Sequence, residues 1–133
     1  MKIIVELDTD KLTDIVLIQI VRQIEDEQDL KKFVHYQNFN VRAEIAMNPH
    51  TSQEDLDELS KDKNFLVRWS VASNKKTPES ALLRLATDED FLIRERVAER
   101  RSIPDSVIRV LSKDTYDKVQ NFAIKEAKRR CLK

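Results

Sequence analysis

Apolar residues recur along this chain at a fixed interval of 26 positions. Phe39, Phe65 and Phe91 keep that step, as do Ala46, Ala72 and Ala98; Leu56, Leu82 and Ile108; and Leu59, Leu85 and Leu111. Polar positions keep it too. Val41-Arg42, Val67-Arg68, Ile93-Arg94 and Val119-Gln120 stand one interval apart, and so do Asp62, Asp88 and Asp114. Within an interval the apolar spacing is helical. Phe39, Val41, Ile45 and Ala46 share one face, and Leu56 and Leu59 are i, i+3 neighbours. A period in this range implies units that bury their apolar faces by stacking on neighbours. The pattern therefore predicts an all-α fold, a right-handed α-solenoid of helical pairs.

The first helix of each pair should start after Asn38, Asn64 or Asp90, whose side chains accept from orphan helix N–H groups. It should run to about Asn48, Asn74 or Arg100, with the asparagines taking the left-handed conformation that glycine otherwise supplies. The second helices are expected at about 52–60, 78–86 and 104–112. Thr51 with Glu54 reads as a capping box, and Pro78 and Pro104 suit the first helical position. One domain over 1–133 is expected: an N-terminal cap at 1–36, three repeats over 37–114 and a C-terminal capping helix over 115–133. In the first cap, Asp8-Thr9-Asp10 should begin a helix from Lys11 to Glu25, with Leu12, Ile15, Val16, Ile18, Ile20, Val21 and Ile24 facing the first repeat. Residues 27–36 should form a second helix, and Ile3-Ile4-Val5 reads as a short strand or an arm. At the other end Val119, Ala123, Ala127 and Cys131 make an i, i+4 stripe facing the last repeat, and Phe122 should be buried with them.

Composition narrows the picture. The chain has no glycine, which argues against tight hairpins and glycine-rich phosphate loops. A single cysteine excludes an internal disulfide and suits a reducing compartment. Apolar runs are too short for a membrane helix, and the first residues turn acidic too early for a signal peptide. A cytoplasmic monomer with no membrane association is expected. Net charge is zero, yet residues 1–66 carry 8 basic against 14 acidic groups, a balance of −6. Residues 67–133 carry 16 against 10, a balance of +6.

The run Asp62-Lys63-Asn64-Phe65-Leu66-Val67-Arg68-Trp69-Ser70-Val71-Ala72-Ser73-Asn74, followed by Thr77-Pro78 and by Leu82 and Leu85, resembles HEAT-like repeats. It is most similar to their bacterial leucine-rich repeat variant. The resemblance covers about residues 36–126. It implies an α-solenoid in which one helix of a pair can be short. It implies adaptor or scaffold roles for most relatives, and DNA binding for a minority such as alkylpurine DNA glycosylases.

Several residues invite a functional reading. The ladder Arg42, Arg68, Arg94 has the spacing to grip successive phosphates. The matching ladder Asp62, Asp88, Asp114 favours a structural role, in which each arginine fork ties turns together. Such Asp/Arg pairing between units is what the HEAT-like resemblance implies. Trp69 is different, because its repeat equivalents are Ala43, Glu95 and Asn121. A large aromatic at a variable position is a binding hot-spot candidate, to be set against a Trp lying flat on basic stems. Trp69, Glu44, Ser70, Glu95 and Arg96 are the candidate partner contacts. Arg100, Arg101, Lys125, Lys128, Arg129 and Arg130 are the candidates for a nucleic-acid surface, although Glu95, Glu99 and Glu126 interleave with them.

The acidic stretches at Glu25–Asp29 and Glu54–Glu58 lack calcium-loop spacing, and His35, His50 and Cys131 do not form a zinc set. Cys131 reads as a small buried hydrophobe. No nucleophile–base pair is signalled, so neither an enzyme nor a cofactor is expected. The favoured function is a non-catalytic protein-binding module, either an adaptor or a regulatory subunit. DNA or RNA binding through the basic C-terminal half is the alternative.

Overall fold

The computed structural model describes residues 13–133. Among these the regular structure is entirely helical: α1 (Asp14–Arg22), α2 (Glu27–Lys31), α3 (Phe39–Met47), α4 (Gln53–Leu59), α5 (Phe65–Ser73), α6 (Glu79–Leu85), α7 (Phe91–Ala98), α8 (Asp105–Leu111) and α9 (Asp117–Arg129). The Asp8-Thr9-Asp10 cap, Leu12 and the strand-or-arm question over Ile3-Ile4-Val5 lie outside the described residues. The chain divides into two compact units, Met1–Thr77 and Pro78–Lys133. The boundary falls between α5 and α6, where the single-domain reading has none.

In the first unit α3 packs against both α1 and α5, and α4 packs on α3 and α5. Leu17, Val21, Ile24, Val41, Ile45 and Val67 are buried there. Helix α1 starts at Asp14, with Thr13 as its cap. The i, i+4, i+7 stripe Leu17, Val21, Ile24 is the one it turns inward. Ile15 and Val16, expected on the inner face, lie off that stripe and are exposed.

Side chains take the place of glycine at the turns. The oxygens of Asn38, Asn64 and Asp90 accept from the N–H groups of Asn40, Leu66 and Leu92 and start α3, α5 and α7. The asparagines at the helix ends differ from expectation. Asn48 (φ −67°, ψ 128°) and Asn74 (φ −71°, ψ 129°) are extended, not left-handed. In that conformation the buried Asn48 amide donates to the carbonyls of Val21 and Ile24, both at 3.0 Å. Asn74 donates to the carbonyls of Ala46 and Asn48 at 2.8 and 3.1 Å. Each amide thus donates to carbonyls at the end of another helix and ties the two ends together.

The cap of α4 is Ser52, whose hydroxyl accepts from the Asp55 N–H, and not Thr51. Thr51 is buried, and its hydroxyl donates to the Ile45 carbonyl at 2.5 Å. Thr77 does the same for Val71 at 2.6 Å. Pro78 and Pro104 stand one place before the first helical residues of α6 and α8, because their ψ angles of 159° and 147° are extended.

In the second unit α7 packs on α6, α8 and α9, and α8 packs on α6 and α9. Ile93, Val97, Ile108, Leu111, Val119 and Ala123 are buried there. The stripe expected to continue to Cys131 stops short. Cys131 takes φ 55° past the end of α9 and is exposed. Phe122 is exposed as well, because it lies one residue off the Val119–Ala123 stripe that faces α7 and α8. Phe39, Phe65 and Phe91 are also partly exposed, each being the first residue of its helix.

The arginine forks span the turns. Arg42 pairs with Asp62 through two bonds, at 2.7 and 3.1 Å, while its remaining nitrogen donates to the carbonyls of Tyr36 and Gln37. Arg94 holds Asp114 with the same two distances and reaches the carbonyls of Asp88 and Glu89. Arg68 donates to the carbonyls of Asp62 and Lys63. Arg68 and Asp88 fall in different units.

Burial acts to raise the Asp62 carboxyl. The Arg42 hydrogen bonds, the Asn64 amide and the charges of Arg42 and Arg68 outweigh it and hold the group below the ordinary carboxylate range. Asp114 is lowered in the same way, with burial opposed by Arg94 and by the amides of Tyr116 and Thr115.

Truncation of Arg42 leaves the largely buried Asp62 carboxylate without its two-bonded cation, with the Asn64 amide still donating to it. Arg42→Ala should therefore lower the unfolding free energy by roughly 3 kcal/mol, read from urea titration. A carboxyl whose folded pKa is depressed adds stability that is fully present above its unfolded value, about 4, and is lost as pH falls through the folded value. The urea midpoint of the wild type should thus drop on acidification below about pH 4. Arg42→Gln should flatten that dependence; an unchanged slope would remove the fork from the account.

Candidate functional site

The outer surfaces of α1, α3 and α5 enclose a groove of about 320 Å³ within the first unit. Its apolar lining comes from Ile18 on α1, Ala43 and Met47 on α3, and Leu66 and Trp69 on α5. The spacing of these residues explains their position. Each helix turns its i, i+4 stripe inward, as with Val41 and Ile45 or Val67 and Val71, and the lining residues lie one or two places off that stripe. Met47 and Leu66 are 47% and 38% exposed, which is high for large apolar side chains, and Trp69 is half-buried beside them.

An ion pair closes one rim. Arg22 at the end of α1 donates to both carboxylate oxygens of Glu44 on α3, at 2.5 and 2.9 Å. The hydrogen bond and the charge of Glu44 raise the Arg22 pKa. The pair is solvent-facing, so its stabilisation is small, but it fixes a planar, charge-balanced edge beside an apolar floor.

Three of the candidate partner contacts, Glu44, Trp69 and Ser70, therefore meet in one groove. Ser70 is buried, and its hydroxyl donates to the Leu66 carbonyl at 2.7 Å, so it shapes the floor and offers no polar group outward. Glu95 and Arg96 lie on α7 in the second unit. There Glu95 pairs with Lys118 of α9, and Arg96 lies 3.8 Å from Glu99. Arg22, Met47 and Leu66 are not among the candidate contacts read from the sequence, and Ile18, expected to face the first repeat, lines the groove. The available signal was Leu66, an apolar residue whose repeat equivalents are Asn40, Leu92 and Lys118.

The basic candidates are partly committed to internal partners. Arg130 donates to the Ile103 carbonyl at 2.8 Å, to Asp105 at 3.1 Å and to Glu126 at 2.8 Å. Arg129 makes a two-bonded contact with the same Glu126. Arg100 and Arg101 follow α7, where burial and then the neighbouring Arg96 lower the Arg100 pKa. Lys125, Lys128 and Arg101 are exposed.

A second cleft of about 500 Å³ lies at the C-terminal ends of α6 and α8. It contains the Arg94–Asp114 pair that already holds those turns. Among the described residues no three acidic, histidine or cysteine side chains converge as metal ligands. Among them no helix is long and apolar enough to cross a membrane. No family model, curated protein or solved structure matches this chain.

The hydrogen bonds from Arg129 and Arg130 hold the Glu126 carboxyl down to about 2. In a carboxyl-detected NMR titration Glu126 should have its midpoint near that value, and Arg129→Ala should move it up. A Glu126 midpoint in the ordinary range would mean that these arginines are not engaged and present their charge outward.

Proposed function

We propose that this chain is a non-catalytic protein–protein interaction module, a right-handed α-solenoid of HEAT-like repeats that holds a partner protein in the α1–α3–α5 groove. The single observation that carries the reading is the convergence of Trp69, Met47 and Leu66 around a groove with a charge-balanced rim. Interface hot spots favour large aromatic anchors set in pockets from which neighbouring contacts exclude water. Methionine adds a floor that repacks around the anchor of a partner. The repeat supports the same view. The inward positions recur from unit to unit, whereas Trp69 has no counterpart, so it answers to something other than the core.

Nucleic-acid binding has less support. Arg129 and Arg130, two of the six residues of the expected basic surface, are tied to Glu126 and Asp105. A phosphate would have to compete with carboxylates already in place.

The test is a pull-down with tagged protein from lysate of its own source, with and without nuclease, repeated with Trp69→Ala. A partner that survives nuclease should bind the variant at least about 30-fold more weakly, the loss expected of a hot-spot residue. Lys125→Glu with Lys128→Glu should leave that affinity within about twofold, as expected of charges outside the contact. Undiminished binding by Trp69→Ala would remove the groove from the proposal. Nuclease-sensitive binding that is lost in the lysine variant would favour the nucleic-acid reading.

A further inference from the structure

One stripe of α9 reads Lys118, Phe122, Lys125, Arg129, at i, i+4, i+7 and i+11. All four side chains are exposed, and Phe122, at 41%, is the apolar one among them. At the 26-residue step its equivalents are Glu44, Ser70 and Arg96, so this place turns apolar in α9 alone. Val119 and Ala123 already fill the buried side of the helix. Lys118 and Arg129 hold Glu95 and Glu126 in solvent-facing pairs, which are worth little and give way readily. Lys125 lies one turn from Phe122 on its other side.

The Trp69 groove complements this projection. Ser70 in the groove and Phe122 on α9 are equivalent positions of the repeat, so the register that is recessed in the first unit carries a protruding ring in the second. At about 320 Å³ the groove stands at the small end of ligand pockets, which run from roughly 300 to 1,000 Å³, and so suits a single anchoring side chain. Charge matches as well. The first unit has 11 basic and 14 acidic residues, a balance of −3, and the second has 13 and 10, a balance of +3. Beside the groove, Asp14 stands one turn before Ile18 on α1, where it accepts from Asn38 and Tyr36, and Glu44 forms the rim with Arg22. An apolar anchor flanked by lysines fits an apolar groove flanked by carboxylates.

We infer that the occupant of the groove is a second copy of this chain, whose α9 seats Phe122 against Trp69, Met47 and Leu66. The inference rests on the groove being a protein-binding site, as proposed above, and names its partner; it departs from the monomer expected from the sequence. The contact is heterologous, because each chain offers its groove to one neighbour and its α9 to another. A chain altered only in α9 keeps its groove, so the lysine variant described above still accepts wild-type α9.

The experiment is sedimentation equilibrium of the full chain over a wide concentration range. The wild-type mass should rise above that of one chain as concentration increases. Trp69→Ala and Phe122→Ser should each weaken the association at least about tenfold, as expected of anchor residues. Both variants place at the position a residue that it already holds elsewhere in the repeat, Ala43 and Ser70, and circular dichroism checks that they fold. An equal mixture of the two should associate with wild-type affinity and stop at the heterodimer, since one variant supplies an intact groove and the other an intact Phe122. Raising salt from about 0.1 M to about 1 M, which shortens the screening length from about 10 to about 3 Å, should weaken the wild-type association at least threefold. The inference is overturned by a wild-type mass of one chain at every concentration, by association that either variant leaves intact, by a mixture of folded variants that stays monomeric, or by indifference to salt. A monomeric wild type that still takes a different protein from lysate through Trp69 would overturn the self-contact and leave the groove as a binding site; loss of both would remove the groove as well.

Discussion

Arg42 offers a planar fork of donors, and four of its hydrogen bonds are accounted for within the first unit: two to the Asp62 carboxylate, one to Tyr36 and one to Gln37. The constraint behind it is general to the molecule. Its helices run from 5 to 13 residues, shorter than isolated helices that hold their shape in water. Each helix end leaves backbone groups without partners, and the chain has no glycine to turn sharply and satisfy them locally. Side chains must do so instead. Asp62 accepts from the Asn64 amide while it holds Arg42, Asn74 collects two carbonyls, and Thr77 reaches back to Val71. Packing of Val41, Ile45, Val67 and Val71 then becomes possible, because the turns that would fray are tied to the helices they connect.

This division of labour explains what could be read from the sequence. The starts of α3, α5 and α7 were legible to the residue, because a cap is a local event between a side chain and an amide two places on. The roles of Asn48, Asn74 and Thr51 were not. A helix-ending asparagine suggests a left-handed turn, yet here its amide is drawn to carbonyls of a different helix, more than 20 residues away. The partners of a side-chain amide depend on tertiary contacts that no local pattern contains. The same holds for Ile15, Phe122 and Cys131. Each is compatible with an apolar stripe, and only the rotation of its helix against neighbours decides that it faces out.

The groove was half legible. Trp69 stood out because it broke the repeat, and Glu44 and Ser70 followed from it as neighbours on the same face. Arg22 and Met47 did not, since nothing in sequence joins the end of α1 to the middle of α3. Asp55 shows the converse. It stands in an acidic stretch that gives no sign of burial, and its burial is visible only once α2 and α4 are placed.

Charge is where sequence arithmetic carries least. The sixteen basic residues of the C-terminal half suggest a phosphate-binding surface when counted. A count treats every charge as facing outward. In the structure Arg94 holds Asp114, Lys118 holds Glu95, and Arg130 holds Glu126, Asp105 and the Ile103 carbonyl. An arginine with two carboxylates and a carbonyl around it adds little to the field at a distance, and moving it to a phosphate would expose the groups it leaves. Arg101, Arg109, Lys113, Lys125, Lys128 and Lys133 are exposed, so that half carries engaged and outward-facing bases side by side. Apolar surface shows the same limit of counting, since only the folded first unit gathers Trp69, Met47 and Leu66 around one groove.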